Sequence, residues 1–328
     1  MSIRQRTVAT NGVELRVTEA GEGPLVVLAH GFPELAYSWR HQIPFLAEAG
    51  FRVVAPDQRG YGGSSRPAAV EDYDILHLTG DLVGLLDDIG EDRAVFVGHD
   101  WGSIVAWNMA LLHPERVAAV VGMSVPFLPR SPLPPVQLMR QVFGSSFFYI
   151  VYFQEPGVAD AELGRDPATT MRRLLAAAPR AGALDETAMA DDGRGFVERM
   201  QEPEALPGWL TQAELDHYSD EFSRTGFTGG LNWYRNLDRN WEMTPELSDA
   251  KVTVPSLFIG GADDPVLVMS PPSVMDGHLL DHRGTVLIPG AGHWVQQEAP
   301  TAVNTALLEF LAGIQPTGAA GPDPEEVH

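Results

Sequence analysis

Short runs of consecutive apolar residues recur along this chain, separated by longer stretches in which apolar positions return every three or four residues. Thr7 to Thr10, Glu14 to Glu19, Leu25 to Ala29, Arg52 to Pro56, Arg93 to Gly98, Val117 to Met123, Ser256 to Gly260 and Thr285 to Ile288 read as short strands. Ile75, Leu78, Leu82, Leu85, Leu86 and Ile89 keep helical spacing, as do Val303, Leu307, Phe310 and Leu311. Those stripes face a core rather than a cofactor. Strands alternating with helices predict an α/β fold whose mainly parallel sheet carries helices on both faces. No internal repeat is visible.

The rhythm breaks after Val125, where prolines at 126, 129, 132, 134 and 135 stiffen the exit from the sheet. From about Pro126 to Ala250 the chain is aromatic-rich and mostly helical in pattern, and strands resume only after Pro255. The expectation is a core domain of residues 1–125 and 251–313 with a helical cap, 126–250, inserted into it. The Pro/Gly/Glu-rich stretch 314–328 is expected to be a disordered tail.

Composition narrows the field. With 44% hydrophobic and 20% charged residues in 328, the chain has the balance of a soluble globular protein, and no segment is long and apolar enough to span a bilayer. The first residues carry no secretory h-region, so the cytoplasm is the expected compartment. A formal charge of -22 repels phosphate backbones and argues against nucleic acid as a partner. Zero cysteines exclude disulfides, thiol nucleophiles and cysteine-ligated metal, leaving oxygen or nitrogen groups as candidate nucleophiles.

Gly98-His99-Asp100-Trp101-Gly102 lies between a predicted strand and a helix expected over Ser103 to His113. It has the form of a nucleophile elbow with a carboxylate in place of serine. An acid and then a histidine should follow at the ends of later strands. Asp264 comes just after Ser256 to Gly260, and His293 sits behind a Gly-x-Gly turn after Thr285 to Ile288. Asp264 would orient His293 as general base, with Asp263 as the rival acid. The backbone N–H groups of Phe32, in His30-Gly-Phe-Pro33, and of Trp101 are the candidate oxyanion donors.

These stretches, with Tyr37-Ser-Trp-Arg40, Gly60-Tyr-Gly62, Tyr152-Phe-Gln-Glu-Pro-Gly157, Gly230-Leu-Asn-Trp-Tyr-Arg-Asn236 and Gly290-Ala-Gly-His293, resemble those of the epoxide hydrolases, most closely the hydrolase domain of the soluble enzymes. The resemblance implies an α/β-hydrolase fold with an eight-stranded, mostly parallel sheet and a helical cap. It implies Tyr152 and Tyr234 as the paired cap tyrosines that bind and protonate the epoxide oxygen, with Tyr149 and Tyr218 left as core aromatics. It also implies a covalent ester on Asp100, hydrolysed by water that His293 and Asp264 activate, with no metal or organic cofactor. The expected partner is a small apolar epoxide, lipid or aromatic, together with a possible second copy in a homodimer. No phosphatase domain matches, so no phosphatase activity is expected. A hydrolytic dehalogenase would share Asp100, His293 and Asp264 but release halide, and a catalytically silent binding protein on the same scaffold is the third reading.

Overall fold

Eight strands form one sheet: β1 (Arg4–Thr10), β2 (Val13–Ala20), β3 (Leu25–Ala29), β4 (Arg52–Pro56), β5 (Ala94–His99), β6 (Val117–Met123), β7 (Val252–Gly261) and β8 (Leu279–Ile288), in the order β1-β2-β4-β3-β5-β6-β7-β8. β2 runs antiparallel to both β1 and β4, and every pair from β4 to β8 is parallel. This computed structural model describes residues 2–176 and 189–314, so the expected tail beyond Ile314 lies outside the described residues.

The helices in chain order are α1 (Gln42–Glu48), α2 (Ile75–Ile89) and α3 (Trp101–Leu112), followed between β6 and β7 by α4 (Pro135–Phe143), α5 (Tyr149–Tyr152), α6 (Val158–Leu163), α7 (Pro167–Ala176), α8 (Gln212–Thr225), α9 (Thr228–Arg235) and α10 (Leu237–Met243). α11 (Val266–Met269) follows β7, and α12 (Val295–Glu298) and α13 (Pro300–Ala312) follow β8. The sequence marks some of these ends. The Asp74 carboxylate caps α2 by accepting the His77 N–H at 3.0 Å, and Gly90 ends it at φ 79°.

Every residue of β3, β5 and β6 is buried, which is why these strands are apolar without alternation. Their side chains divide between two cores because successive residues point to opposite faces. Val26, Leu28, Val95 and Val97 meet Ile43, Leu46, Val303 and Leu307 on one side. Val27 and Phe96 meet Leu82, Leu85 and Val105 on the other, a core that continues into Phe153, Leu163 and Trp233 of the helical segment between β6 and β7. Each such side chain contributes about 1.5–3 kcal/mol by burial, and truncating the fully buried Phe96 to alanine would cost about 3–5 kcal/mol.

Polar contacts also fasten that helical segment to the sheet. The Trp233 indole donates to the Arg59 carbonyl at 3.1 Å, Arg40 pairs with Glu214 at 2.6 Å, and the Trp294 indole donates to the Leu174 carbonyl at 3.2 Å. No helix among the described residues is long and apolar enough to cross a membrane. The chain reverses its lateral direction at β3, between β4 and β5, and such a switch point opens a crevice at the carboxyl ends of the strands. The elbow and the turns after β3 and β8 lead there.

Candidate active site

β5 ends at His99 and α3 starts at Trp101, so a single residue makes the turn. Asp100 does so at φ 52° and ψ -119°, a conformation that costs a side-chain-bearing residue about 1–3 kcal/mol. The neighbours hold it there. Its N–H donates to the Met123 carbonyl at 3.2 Å, and its own carbonyl accepts the Ser103 N–H at 3.0 Å. A Cβ at Gly98 would strike the Gly102 carbonyl, and one at Gly102 would strike that of Ala29, so only glycine allows strand and helix to approach this closely.

The turn presents the Asp100 carboxylate to groups from three other strand ends. From the turn after β3, the Phe32 N–H donates to Asp100 Oδ1 at 2.8 Å. The Trp101 N–H, at the first position of α3, has no intrahelical carbonyl to bond. From the turn after β8, His293 Nε2 lies 3.4 Å from Asp100 Oδ2, while its Nδ1 lies 2.9 Å from Oδ2 of Asp264 in the turn after β7. Asp264 is buried and Asp263 exposed, which separates the two acids that the sequence left as rivals.

Charge fixes the resting protonation. Burial alone would lower the pKa of His293, but the facing Asp264 and Asp100 carboxylates outweigh it and hold the imidazole well above its ordinary value. Burial would likewise raise Asp264, and His293 brings it below the usual carboxylate range. The imidazole thus lies between two facing carboxyl groups, 3.4 Å from one and 2.9 Å from the other.

Tyr234 of α9 and Tyr149 of α5 face this arrangement from the helical segment. The Tyr234 ring is buried, edge-on to Phe32 at 5.4 Å and to Trp101 at 5.0 Å, and 6.1 Å from the Tyr149 ring. Burial first, and then the Asp100 charge, pushes both phenols above the ordinary tyrosine value. The site therefore looks onto two neutral phenol donors.

Tyr152 is elsewhere, a correction to the expected pair. Its hydroxyl donates to Glu162 Oε2 at 2.8 Å, and its acidity is reduced by burial and by Glu162, with no contribution from Asp100. The physical reason is that Glu162 of α6 is a buried carboxylate in need of donors, and it takes the hydroxyl at the end of the single-turn α5. Tyr149, expected to be a core aromatic, is the one that meets Tyr234. Tyr218 is a core aromatic, its hydroxyl 2.8 Å from Ser38 Oγ and donating to Gln297 Oε1 at 3.1 Å.

The α/β-hydrolase fold family matches residues 24–300. Epoxide hydrolase A of Mycobacterium tuberculosis is 60% identical over 317 residues, 95% of this chain and 98% of that protein. The crystal structure of Epoxide Hydrolase A from Mycobacterium thermoresistibile superposes with a TM-score of 0.93 at 58% identity, covering 96% of this chain and 100% of its own. An epoxide hydrolase from an endophytic Streptomyces gives 0.90 at 42% identity, covering 95% and 96%. The chain belongs to the epoxide hydrolases of the α/β-hydrolase fold.

This epoxide hydrolase carries supporting groups that the motifs did not single out. His99, one residue before Asp100, is fully buried, with Nδ1 2.6 Å from Glu34 Oε2 and Nε2 2.7 Å from the His293 carbonyl. Burial would raise the Glu34 carboxyl, but His99 and the Gly31 N–H bring it down to about 2. The His99 ring thus bridges the Glu34 carboxylate and the His293 carbonyl. The Ser124 hydroxyl donates to the same His293 carbonyl at 2.7 Å. The backbone of the general-base candidate is thus held from two sides. In the sequence His99 lies inside the elbow motif and Glu34 directly after His30-Gly-Phe-Pro33, with nothing in the spacing to say that they meet. Among the described residues no three His, Asp or Glu side chains converge as a metal site would need.

Proposed function

We propose that Asp100, Tyr149, Tyr234, His293 and Asp264 of this epoxide hydrolase convert an apolar epoxide and water to a vicinal diol in two half-reactions. The observation that carries this reading is the pair of buried phenol rings on the helical side, 6.1 Å apart, with Tyr234 edge-on to Phe32 and Trp101, the two residues whose N–H groups flank Asp100. The helical segment 126–250 acts as the cap that brings them there. Asp100 Oδ1 is tied to the Phe32 N–H at 2.8 Å, so Oδ2, which faces His293 Nε2 at the longer distance of 3.4 Å, is the nucleophile. It attacks an oxirane carbon while Tyr149 and Tyr234 donate hydrogen bonds to the ring oxygen. The C–O bond opens, the pair of electrons goes to oxygen, and one phenol protonates the alkoxide.

Ester formation consumes the charge on Asp100, and that changes its neighbours in the required directions. The phenols become better acids as the reaction proceeds, since one cause of their raised pKa disappears. His293 loses one of the charges that held its proton, so it returns that proton to the phenolate and becomes a neutral base. Oriented by Asp264, it then deprotonates water, which attacks the ester carbon while the N–H groups of Phe32 and Trp101 stabilise the oxyanion on Oδ1. Collapse breaks the Cγ–Oδ2 bond, the departing Oδ2 takes the remaining proton of the attacking water, and His293 keeps the proton it removed, so the diol leaves with Oδ2 and Asp100 is again a carboxylate. Phe32, Trp101, Phe153, Tyr149 and Tyr234 form a linked set of ring contacts beside Asp100, surroundings suited to an apolar substituent.

The test is diol formation from an aryl epoxide by the purified protein beside Asp100→Ala, with a haloalkane assayed for halide. Diol from the wild type alone is expected, with a loss of at least about ten-thousandfold in the variant. Halide release without diol would overturn the reading.

A further inference from the structure

Outside the reacting groups, one buried carboxylate is unusually well supplied with donors. Glu162 Oε2 accepts the Tyr152 hydroxyl at 2.8 Å and the Phe196 N–H at 2.9 Å, while Oε1 accepts the N–H groups of Val197 at 2.9 Å and Glu198 at 3.3 Å. Three successive amides opening the 3-10 turn Val197–Arg199 thus converge on one side chain from a different helix. A Cβ at residue 195 would collide with that carboxylate, so Gly195 is what lets the chain close over it. Both oxygens are fully engaged. This is a built clamp, and the reaction proposed above makes no use of it.

What the clamp fixes is Phe196. Its ring stacks on Tyr149 at 5.5 Å and 28°, and stands edge-on to Phe153 at 5.0 Å. Tyr149 sits on a helix of four residues, which by itself holds a side chain poorly. Phe196 supplies the missing support on the face of the phenol ring. We propose that Glu162, with Tyr152 as its phenolic donor, is a positioning residue that holds Phe196 against Tyr149 and so aims the Tyr149 hydroxyl at the epoxide oxygen. This rests on the assignment of Tyr149 as an acid. Tyr152 serves the reaction through Glu162 and Phe196, without touching the substrate.

Glu162→Gln keeps the shape but turns an NH2 group toward backbone N–H donors, so one side of the clamp opens. Single-turnover kinetics should show ester formation slowed about tenfold, because misaiming a reacting group by a fraction of an ångström is costly. Ester hydrolysis, which does not use Tyr149, should keep its rate. Tyr152→Phe removes one of four donors and should slow ester formation about threefold. In a Tyr149→Phe background Glu162→Gln should add nothing further, since the group it aims is gone. Should Glu162→Gln fail to fold, Phe196→Ala carries the same test, because it leaves carboxylate and donors in place. Equal slowing of both half-reactions, or an undiminished effect in the Tyr149→Phe background, overturns the positioning role. Slow ester formation in Tyr149→Phe with a wild-type rate in Glu162→Gln and Phe196→Ala overturns this inference alone. A wild-type rate in Tyr149→Phe itself overturns the acid assignment and the clamp's role together.

Discussion

The two sides of the site are built by different means. On the sheet side, Asp100, His293 and Asp264 each occupy a short turn at the carboxyl end of a parallel strand, and strand pairing fixes their separations. On the facing side, Tyr149 stands on one turn of helix and takes its place from aromatic neighbours and a buried carboxylate several elements away. The difference teaches where precision comes from. A strand end is positioned by its own backbone, whereas a side chain on a short helix is only as well placed as what packs against it.

The largest expected effect separates the two half-reactions on the sheet side. His293→Gln should still form the ester but hydrolyse it at least about ten-thousandfold more slowly, so the acyl-enzyme accumulates and is seen as a mass increase equal to the epoxide. Loss of ester formation together with hydrolysis would show that the two sides do not divide the reaction.

A smaller effect is expected across the site. Tyr149→Phe should slow ester formation about a hundredfold, and Tyr152→Phe only about threefold. Equal losses in the two variants, read by burst kinetics, would erase the distinction between the phenol facing Asp100 and the one bound to Glu162.

The pH dependence sharpens the comparison further. Hydrolysis needs neutral His293, so its rate should fall about tenfold for each unit of pH below the value His293 has in the ester. Ester formation should not follow that slope. The sign of the stability effect is the opposite. Because His293 is raised in the folded resting state, its contribution is complete below about pH 6.5 and is lost as pH rises through the raised value. Asp100→Asn removes one of the charges responsible and should flatten this decline in Tm.

The same contrast separates what is legible in the sequence from what is not. The eight strands are visible as apolar runs, and the structure extends them by only a few residues: β1 begins at Arg4 rather than Thr7, and β8 at Leu279 rather than Thr285. Those edge strands mix polar and apolar residues, which blurs their ends. α3 begins at Trp101, two residues before the periodicity suggests, because the elbow completes its turn within Asp100. Asp100, Asp264 and His293 could be nominated because each follows a recognisable strand. Tyr149 could not be told from Tyr152, since both lie in the one aromatic run Phe147 to Phe153 and the decision between them is made by Glu162, ten residues further on. Glu34 and His99 were equally hidden, being 65 residues apart and joined only by the pairing of β3 with β5.

The central claim, that Oδ2 of Asp100 attacks and leaves with the product, is tested most directly by one turnover in heavy-oxygen water with enzyme in excess over epoxide. The expected result is label in the peptide containing Asp100 and an unlabelled diol. Label in the diol with Asp100 unlabelled would mean that water attacks the epoxide directly, and would contradict the covalent route.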